Sequence, residues 1–250
     1  MEDWIKYTIA GVGILVLVLF GLFMISRTNK KYTEIQSHVT GDKFKIDNNF
    51  NKLWIDDFTN RLKGHEKKVN SLLVDLIDKL PEDTGIIDAG THIGDTIIPL
   101  SKKCSKKNII LYGIDPDKTK IEFVNHMCKL NNLKNIKTIV GGLSNKNGKG
   151  DLIKKQHAGA WKINDKGNDF DIYNIDELFK NKKISLIHLD VEGYEYKTLL
   201  GGLNTINKHK PYLVIEILHG EDKDKIIPLL EKMDYKWTKI DDNNYLFEYI

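Results

Sequence analysis

Three carboxylates follow a short apolar run in the C-terminal half of the chain. The segment ISLIHLDVEGYE, residues 184–195, is largely apolar up to residue 189 and then carries Asp190, Glu192 and Glu195. In an open parallel sheet, ligands bind beyond the carboxyl ends of the strands. A carboxylate at such an end can position a substrate or remove a proton from it. Asp190 and Glu192 are therefore catalytic candidates, and Gly193 permits a sharp backbone turn between strand and helix.

A second motif, IIDAGTHIGDT at residues 86–96, joins an apolar strand to a helix. Gly90 and Gly94 lie in the turn, where glycine permits close approach of a ligand and the helix N-terminus offers free N–H groups. The spacing D-x-G-x-x-x-G differs from the G-x-G-x-x-G fingerprint of nicotinamide-binding proteins. Asp88, at the strand end, disfavours a pyrophosphate but suits a positively charged ligand group. A glycine turn of this kind can also be purely structural.

A third acid, Asp115 in YGIDPDK, follows the next predicted strand. An acid here can accept hydrogen bonds from both hydroxyls of a ribose, as adenosine-type cofactors require in this fold. Acids are also common at helix N-caps, which is the role we predict for Asp117. In series with Asp88, Gly90 and Gly94, Asp115 indicates a cofactor site.

These motifs need a scaffold in which several strands end side by side. From residue 85 onward, short apolar strands alternate with helices, which predicts an α/β fold with a doubly wound parallel sheet. Two strand-like runs, YKWTKI and NYLFEYI, are joined by DDNN and predict a C-terminal antiparallel hairpin. Helical spacing of apolar residues predicts a helix over residues 69–80. We place the domain at residues 65–250, after a polar linker at residues 30–64.

Residues 1–29 form a predicted membrane anchor. Residues 7–26 carry no charged side chain, and a run of about 20 apolar residues can span a bilayer. The run is too long for a signal peptide and lacks a small-residue cleavage site. Arg27, Lys30 and Lys31 follow it, so the positive-inside rule places the rest of the chain in the cytosol. We predict a single-pass membrane protein with a cytosolic domain.

The composition is typical of a globular domain. The chain has 250 residues, of which 41% are apolar and 29% charged, and it can bury a sizeable core. Its 38 basic and 35 acidic residues are well mixed and give a net charge of +3, so we expect no nucleic-acid partner. Cys104 and Cys128 fall in predicted helices and indicate free thiols rather than a disulfide framework.

Together these motifs resemble the FkbM family of S-adenosylmethionine-dependent methyltransferases. DAGTHIG is similar to the family's glycine loop, DP at residues 115–116 to its acid–proline pair, and DVEGYE to its D-x-E-G-x-E segment, the most specific of the three. GGLSNKNG, YNIDELF and PYLVIEI also resemble family segments, so the likeness covers about residues 86–218. The resemblance implies a Rossmann-like class I methyltransferase domain that binds S-adenosyl-L-methionine and methylates a hydroxyl oxygen.

The motifs, the strand ends and the resemblance together give a set of candidate site residues. The residues expected to contact the cofactor are Asp88, Gly90, His92, Gly94, Asp115 and Leu143. Asp190, Glu192 and His219 are the catalytic candidates, and Glu195 and Glu216 are expected to contact the acceptor.

Two histidines depart from the family pattern. His92 stands where a small or amide residue is common, and His188 replaces a frequent lysine before the acidic segment. These departures leave the acceptor and the proton-transfer scheme open. Asp190, Glu192 and Glu216 could gather around a divalent cation through oxygen ligands, but their spacing does not require one, and no metal is predicted.

The expected acceptor is a sugar, a glycan or a small metabolite with a free hydroxyl, and a membrane anchor favours acceptors at the membrane surface. Two other functions stay open. A membrane-anchored glycosyltransferase could use DPD at residues 115–117 as its D-x-D motif, but the basic flank and the glycine loop oppose this reading. A catalytically silent, tethered binding protein on the same scaffold is the other alternative, and the complete set of cofactor residues argues against it.

Overall fold

The computed structural model describes residues 31–153, 162–164, 167–218 and 220–250. The predicted membrane span and the catalytic candidate His219 lie outside these ranges. Among the described residues, no helix is both long enough and apolar enough to cross a membrane.

The described chain contains strands and helices that alternate from residue 85 onward. The strands are β1 (Tyr32–Gln36), β2 (Lys43–Asp47), β3 (Gly85–Ala89), β4 (Ile110–Asp115), β5 (Ile136–Val140), β6 (Gly142–Leu143), β7 (Gly148–Ile153), β8 (Lys162–Asn164), β9 (Phe170–Tyr173), β10 (Ile184–Leu189), β11 (Tyr212–Glu216), β12 (Tyr235–Lys239) and β13 (Asn244–Tyr249). The helices are α1 (Lys52–Gly64), α2 (Lys67–Lys79), α3 (Ile97–Ser105), α4 (Lys118–Leu130), α5 (Ile175–Leu178), α6 (Glu195–Leu200), α7 (Leu203–His209) and α8 (Gly220–Glu231).

A seven-stranded mixed sheet organises the domain, with the strand order β12-β13-β11-β10-β3-β4-β5. Strands β11, β10, β3, β4 and β5 are parallel, whereas β13 runs antiparallel to both of its neighbours. The predicted α/β fold with a C-terminal antiparallel hairpin is confirmed. The strand order reverses between β3 and β10, and open α/β sheets bind ligands in the crevice at such a reversal.

The two faces of this sheet bury two separate cores. Successive side chains of a strand point to opposite faces, so Ile86 and Leu186 pack with α1 to α4, whereas Ile87 and Ile187 pack with α5 to α8. Two residues further along the strands, the side chains at positions 88 and 188 return to the face covered by α1 to α4. The polar ends of β3 and β10 therefore lie beneath these four helices.

The segment predicted to be a polar linker, residues 30–64, instead contains the β1–β2 hairpin and helix α1. Asn51 caps α1 by accepting a hydrogen bond from the backbone N–H of Leu53 at 3.0 Å. Phe58 and Leu62 are the buried apolar residues of α1 and join the core beneath it. The difference matters because α1 lies against the glycine loop.

A second sheet, with the order β6-β9-β7-β8, occupies the region between β5 and β10. Its strands are short, and Phe170 and Ile172 form a small apolar cluster of their own. The sequence pattern did not predict this sheet.

Candidate active site

The glycine loop and the acidic segment are in direct contact. Gly90, just after β3, has a backbone φ of +83°, a conformation that glycine adopts readily. A Cβ atom at this position would overlap the carbonyl oxygen of Asp190. The backbone N–H of Asp190 in turn donates to the carbonyl oxygen of Ala89 at 3.0 Å. Gly90 is therefore required because the end of β10 lies against it.

The glycine loop is also tied to the end of β4. Asp115 is 5% exposed, and its two carboxylate oxygens accept hydrogen bonds from the backbone N–H groups of His92 at 3.1 Å and Asp117 at 2.8 Å. Burial raises the pKa of Asp115 to about 6, although Lys120 and the two N–H donors oppose this shift. Lys120 Nζ lies 3.9 Å from the carboxylate. This arrangement holds an acid at the place where a ribose is expected.

The DPD motif has a local explanation. Asp117 is the N-cap of α4 and accepts a hydrogen bond from the backbone N–H of Thr119 at 2.8 Å, as predicted. Asp115 is engaged with the glycine loop as described above. Among the described residues, no cluster of His, Cys, Asp and Glu side chains could hold a metal ion. Both acids of DPD therefore have local structural partners in the described part of the chain.

A buried aspartate–histidine pair joins the two central strands. Asp88 of β3 lies directly opposite His188 of β10 in the sheet register, and Nδ1 of His188 is 2.6 Å from Oδ1 of Asp88. The two residues are 2% and 5% exposed. Oδ2 of Asp88 is buried and has no hydrogen-bond partner among the described residues. Sequence reasoning predicted Asp88 as a site residue but did not predict its pairing with His188.

Burial by itself lowers the pKa of His188, but its surroundings reverse the effect. The hydrogen bond and the negative charge of Asp88, followed by the charges of Glu66 and Glu216, leave this pKa above its ordinary value. Glu216 ends β11, and Glu66 lies immediately before α2 with a left-handed φ of 44°. The surrounding carboxylates therefore stabilise the imidazolium form of His188.

Asp190 and Glu216 form a half-buried acidic pair at the ends of the adjacent strands β10 and β11. Burial, followed by the charge of Glu216 and a hydrogen bond with it, raises the pKa of Asp190 well above its ordinary value. Oδ1 of Asp190 is buried without a hydrogen-bond partner among the described residues. Asp190 lies where sequence reasoning placed it, but the protonated carboxyl is a hydrogen-bond donor rather than a ready base.

The turn after β10 is held by Glu195. Glu192 and Gly193 both adopt positive φ values, 53° and 93°. Oε1 of Glu195 accepts hydrogen bonds from the backbone N–H groups of Val191 and Gly193, each at 3.1 Å. Glu195 is only 1% exposed, and its burial raises its pKa to about 7 despite these donors. Glu195 thus fixes the turn that carries Glu192, and its contact with an acceptor stays a prediction.

Two other predicted cofactor residues have different surroundings. The side chain of Leu143 is 1% exposed and packs in the core, which leaves no surface of it for a cofactor. Burial, followed by the charges of Lys120, Arg61 and His65, lowers the pKa of His92 to about 2. The His92 ring is therefore neutral, and the backbone N–H of His92 is the group bound to the end of β4.

Helix α1 supplies functional residues that sequence reasoning missed. Trp54 packs edge-on against the ring of His92, with 6.1 Å between ring centroids. Arg61 lies 3.0 Å from Asp57 and 3.4 Å from the buried carboxylate of Asp95 in the glycine loop. The spacing of these α1 residues places them on one helical face, which is the signal that could have revealed them.

The comparisons with known proteins bear on this site. A sequence model of the methyltransferase FkbM domain matches residues 88–237, which include the glycine loop, Asp115 and the acidic segment. The chain belongs to the FkbM methyltransferase family. This confirms the predicted family and makes the chain a methyltransferase whose cofactor is S-adenosyl-L-methionine. A search of curated protein sequences finds no match.

Several solved structures are similar to this FkbM-family chain. An FkbM methyltransferase from Methylobacillus flagellatus KT has 16% identity and a TM-score of 0.48 over 80% of this chain, which spans only 55% of that protein. A methyltransferase from Streptococcus mutans, solved in complex with SAH, has 14% identity and a TM-score of 0.46 over 72% of this chain and 96% of its own. An rRNA methylase from Streptococcus thermophilus has 14% identity and a TM-score of 0.47, with 72% and 95% covered.

The residues at the strand ends fit S-adenosylmethionine. Asp115 can accept the ribose hydroxyls, since each carboxylate oxygen has a second lone pair beyond the N–H that it binds. The buried Oδ2 of Asp88, which has no partner among the described residues, suits the cationic amino-acid part. Gly90, the partly exposed residue at the start of the loop, has no side chain to block a close approach. When bound, the cofactor supplies an electrophilic methyl group.

Proposed function

We propose that this FkbM-family chain transfers the methyl group to a hydroxyl oxygen of a sugar, a glycan or a small metabolite. We further propose that residues 1–29 anchor the enzyme in a membrane and that its catalytic domain lies on the cytosolic side. The acceptor is then most accessible at the membrane surface.

The observation that carries the O-methylation proposal is the cluster of buried and half-buried titratable groups beside the glycine loop. A hydroxyl must lose its proton when its oxygen is methylated, so the site needs a group that can accept that proton. Asp88, His188, Asp190 and Glu216 meet at the ends of three adjacent strands. An acceptor atom that can be methylated without losing a proton would not need a proton-accepting cluster in the site.

The chain's own residues have separate tasks in the reaction. Asp115 orients the cofactor through its ribose, and the Gly90 turn brings the cofactor next to the end of β10. The buried Oδ1 of Asp190 can accept a hydrogen bond from the acceptor and align it. Such alignment of the reacting atoms lowers the barrier because less freedom is lost in the transition state. Helix α1 covers the glycine loop, because Trp54 packs against His92 and Arg61 pairs with Asp95, and it limits the access of water.

Acceptor class is tested with the full-length chain, S-adenosylmethionine carrying a labelled methyl group, and fractions of neutral glycans, lipid-linked glycans and small metabolites. The expected product is a methyl ether, in which the label survives alkali and is attached to a former hydroxyl oxygen. A labelled methyl ester, methylamine or RNA would contradict the proposal. Gly148→Ala is the matched active control because a Cβ at Gly148 meets nothing within 4 Å.

The anchor is supported by the uncharged run at residues 7–26 and the basic residues that follow it. Extraction of membranes from expressing cells with alkaline carbonate tests it. The full-length chain is expected to stay in the membrane pellet, and protease added outside sealed cells is expected to leave the domain intact. Release into the carbonate supernatant would contradict the anchor, and digestion in sealed cells would contradict its orientation.

A further inference from the structure

His188 has a fixed partner that the sheet itself sets. Because β3 and β10 place Asp88 and His188 directly opposite each other, the 2.6 Å contact between Oδ1 and Nδ1 needs no flexible loop. The contact uses one ring nitrogen and leaves Nε2 for a substrate. A histidine held in this way by a carboxylate is well oriented to accept a proton through its other nitrogen.

The charges around His188 nevertheless favour the protonated ring. The acids that face it are Asp88 from β3, Glu216 from β11 and Glu66 from the start of α2. Asp190 follows β10, two residues after His188, and its pKa is raised well above the ordinary value, which favours its neutral form. A protonated imidazole has no lone pair with which to take a further proton. The carboxylates around His188 therefore oppose its action as a base in the absence of the cofactor.

A bound cofactor brings new positive charge to the same carboxylate. S-adenosylmethionine carries an ammonium and a sulfonium group, and the second oxygen of Asp88 is buried and lacks a partner among the described residues. Two cations beside one buried carboxylate repel each other strongly because the surroundings have a low dielectric constant. The proton on His188 is the cation that can leave.

We propose that cofactor binding displaces the proton of His188, and that the neutral imidazole held by Asp88 then accepts the proton of the acceptor hydroxyl. This inference rests on the proposed function. It deepens that function by naming the proton acceptor and the event that activates it.

The transfer step balances in atoms and charge. The hydroxyl proton moves to Nε2 of His188 while an oxygen lone pair forms the new bond to the methyl carbon. The carbon–sulfur bond breaks and its electrons remain on sulfur, so the positive charge leaves the sulfur as it forms on the imidazole. Asp88 then again faces one neighbouring imidazolium, and the proton stays there until the next cofactor binds.

Calorimetric titration of the full-length chain tests the inference without an acceptor. S-adenosylmethionine and S-adenosylhomocysteine are titrated at pH 7 in several buffers that differ in ionisation enthalpy, and the slope of the binding enthalpy gives the number of protons released. The wild type is expected to release a fraction approaching one proton on binding S-adenosylmethionine. It is expected to release less with S-adenosylhomocysteine, which lacks the sulfonium charge.

Two variants locate the proton. His188→Gln can still donate a hydrogen bond to Asp88, and it is expected to bind the cofactor without releasing a proton. His126→Gln is the matched control, because His126 lies on α4 with a side chain 32% exposed and is expected to leave the release unchanged. The NMR spectrum of wild-type protein with ¹⁵N-labelled histidine gives the same answer without substitution, as His188 is expected to change from imidazolium to imidazole on saturation.

Each result has a distinct meaning. Tight binding without proton release, equal release in His188→Gln, or an imidazolium signal that persists at saturation would overturn the inference and leave the proposed function intact. Failure of wild-type protein to bind S-adenosylmethionine would instead refute the proposed function.

Discussion

Replacing Gly90 with alanine is expected to separate the glycine loop from the acidic segment. The new Cβ would overlap the carbonyl oxygen of Asp190, which is backbone and cannot turn aside as a side chain could. The substitution also places a side chain at a φ of +83°. Both effects act on the contact that brings the cofactor loop and the catalytic acids together.

The size of the effect follows from these two terms. A residue with a side chain in the left-handed region costs about 1–2 kcal/mol, and displacement of tightly packed neighbours costs about 1–3 kcal/mol. The free energy of unfolding is therefore expected to fall by about 2–5 kcal/mol in Gly90→Ala. Gly94→Ala separates the cost of the positive φ from the cost of the backbone overlap. Gly94 has a φ of +78°, but a Cβ added there would meet only side-chain atoms, at 3.0 Å and 3.1 Å. Gly94→Ala is therefore expected to lose mainly the stability that the positive φ costs a residue with a side chain.

Urea denaturation of both variants and calorimetric titration with S-adenosylmethionine measure these losses. Gly90→Ala is expected to be the less stable of the two and to bind the cofactor weakly or not at all. Gly148→Ala controls for the change of residue type, because a Cβ there meets nothing within 4 Å. If Gly90→Ala matched Gly94→Ala in stability and bound the cofactor like the wild type, the contact between the two segments would not have the role described.

Three further predictions concern residues around the site. The folded protein binds the proton of Glu195 more tightly than the unfolded chain, since its pKa is about 7 instead of 4.5, so the unfolding free energy should fall by about 3 kcal/mol between these pH values. Urea denaturation at pH 5 and pH 8 should show a smaller loss of stability in Glu195→Gln than in the wild type, because only Asp115, with a pKa of about 6, and other raised acids then contribute. An equal loss in both proteins would refute it. Arg61→Ala leaves a buried carboxylate oxygen of Asp95 without its donor and should cost about 1–3 kcal/mol, whereas Lys118→Ala removes an exposed pair and should cost almost nothing in the same assay. Burial raises the pKa values of Cys104 and Cys128 to about 12, so these thiols should react with a disulfide reagent only after unfolding, and rapid reaction of the folded protein would contradict their burial.

The central sheet could be predicted because its strands are apolar runs that end at glycines or acids. The sequence places Asp88, Asp115 and Asp190 at strand ends, and the structure finds them there. Helix α1 was missed although Trp54, Ile55, Phe58 and Leu62 recur at helical spacing. The polar residues before them led sequence reasoning to assign the whole of residues 30–64 to a linker.

The interactions within the site depended on tertiary structure. The pairing of His188 with Asp88 follows from the register of β10 against β3, which no local pattern specifies. Glu66 reaches the site only because α2 begins above the strand ends. The role of Glu195 as a hydrogen-bond acceptor for its own turn could have been suspected from an acid two residues after Gly193.

Titration of the full-length chain with S-adenosylmethionine, before and after Asp115→Ala, tests the central claim most directly. A hydrogen bond to a charged group contributes about 1.5–3 kcal/mol, so loss of Asp115 is expected to weaken binding by about 10- to 100-fold. Asp117→Ala removes only the cap of α4 and is expected to keep the affinity. Equal affinity in Asp115→Ala and the wild type would contradict the assignment of the cofactor site. Metal-dependent binding of a UDP-sugar, lost in both variants, would mean that DPD is the functional motif.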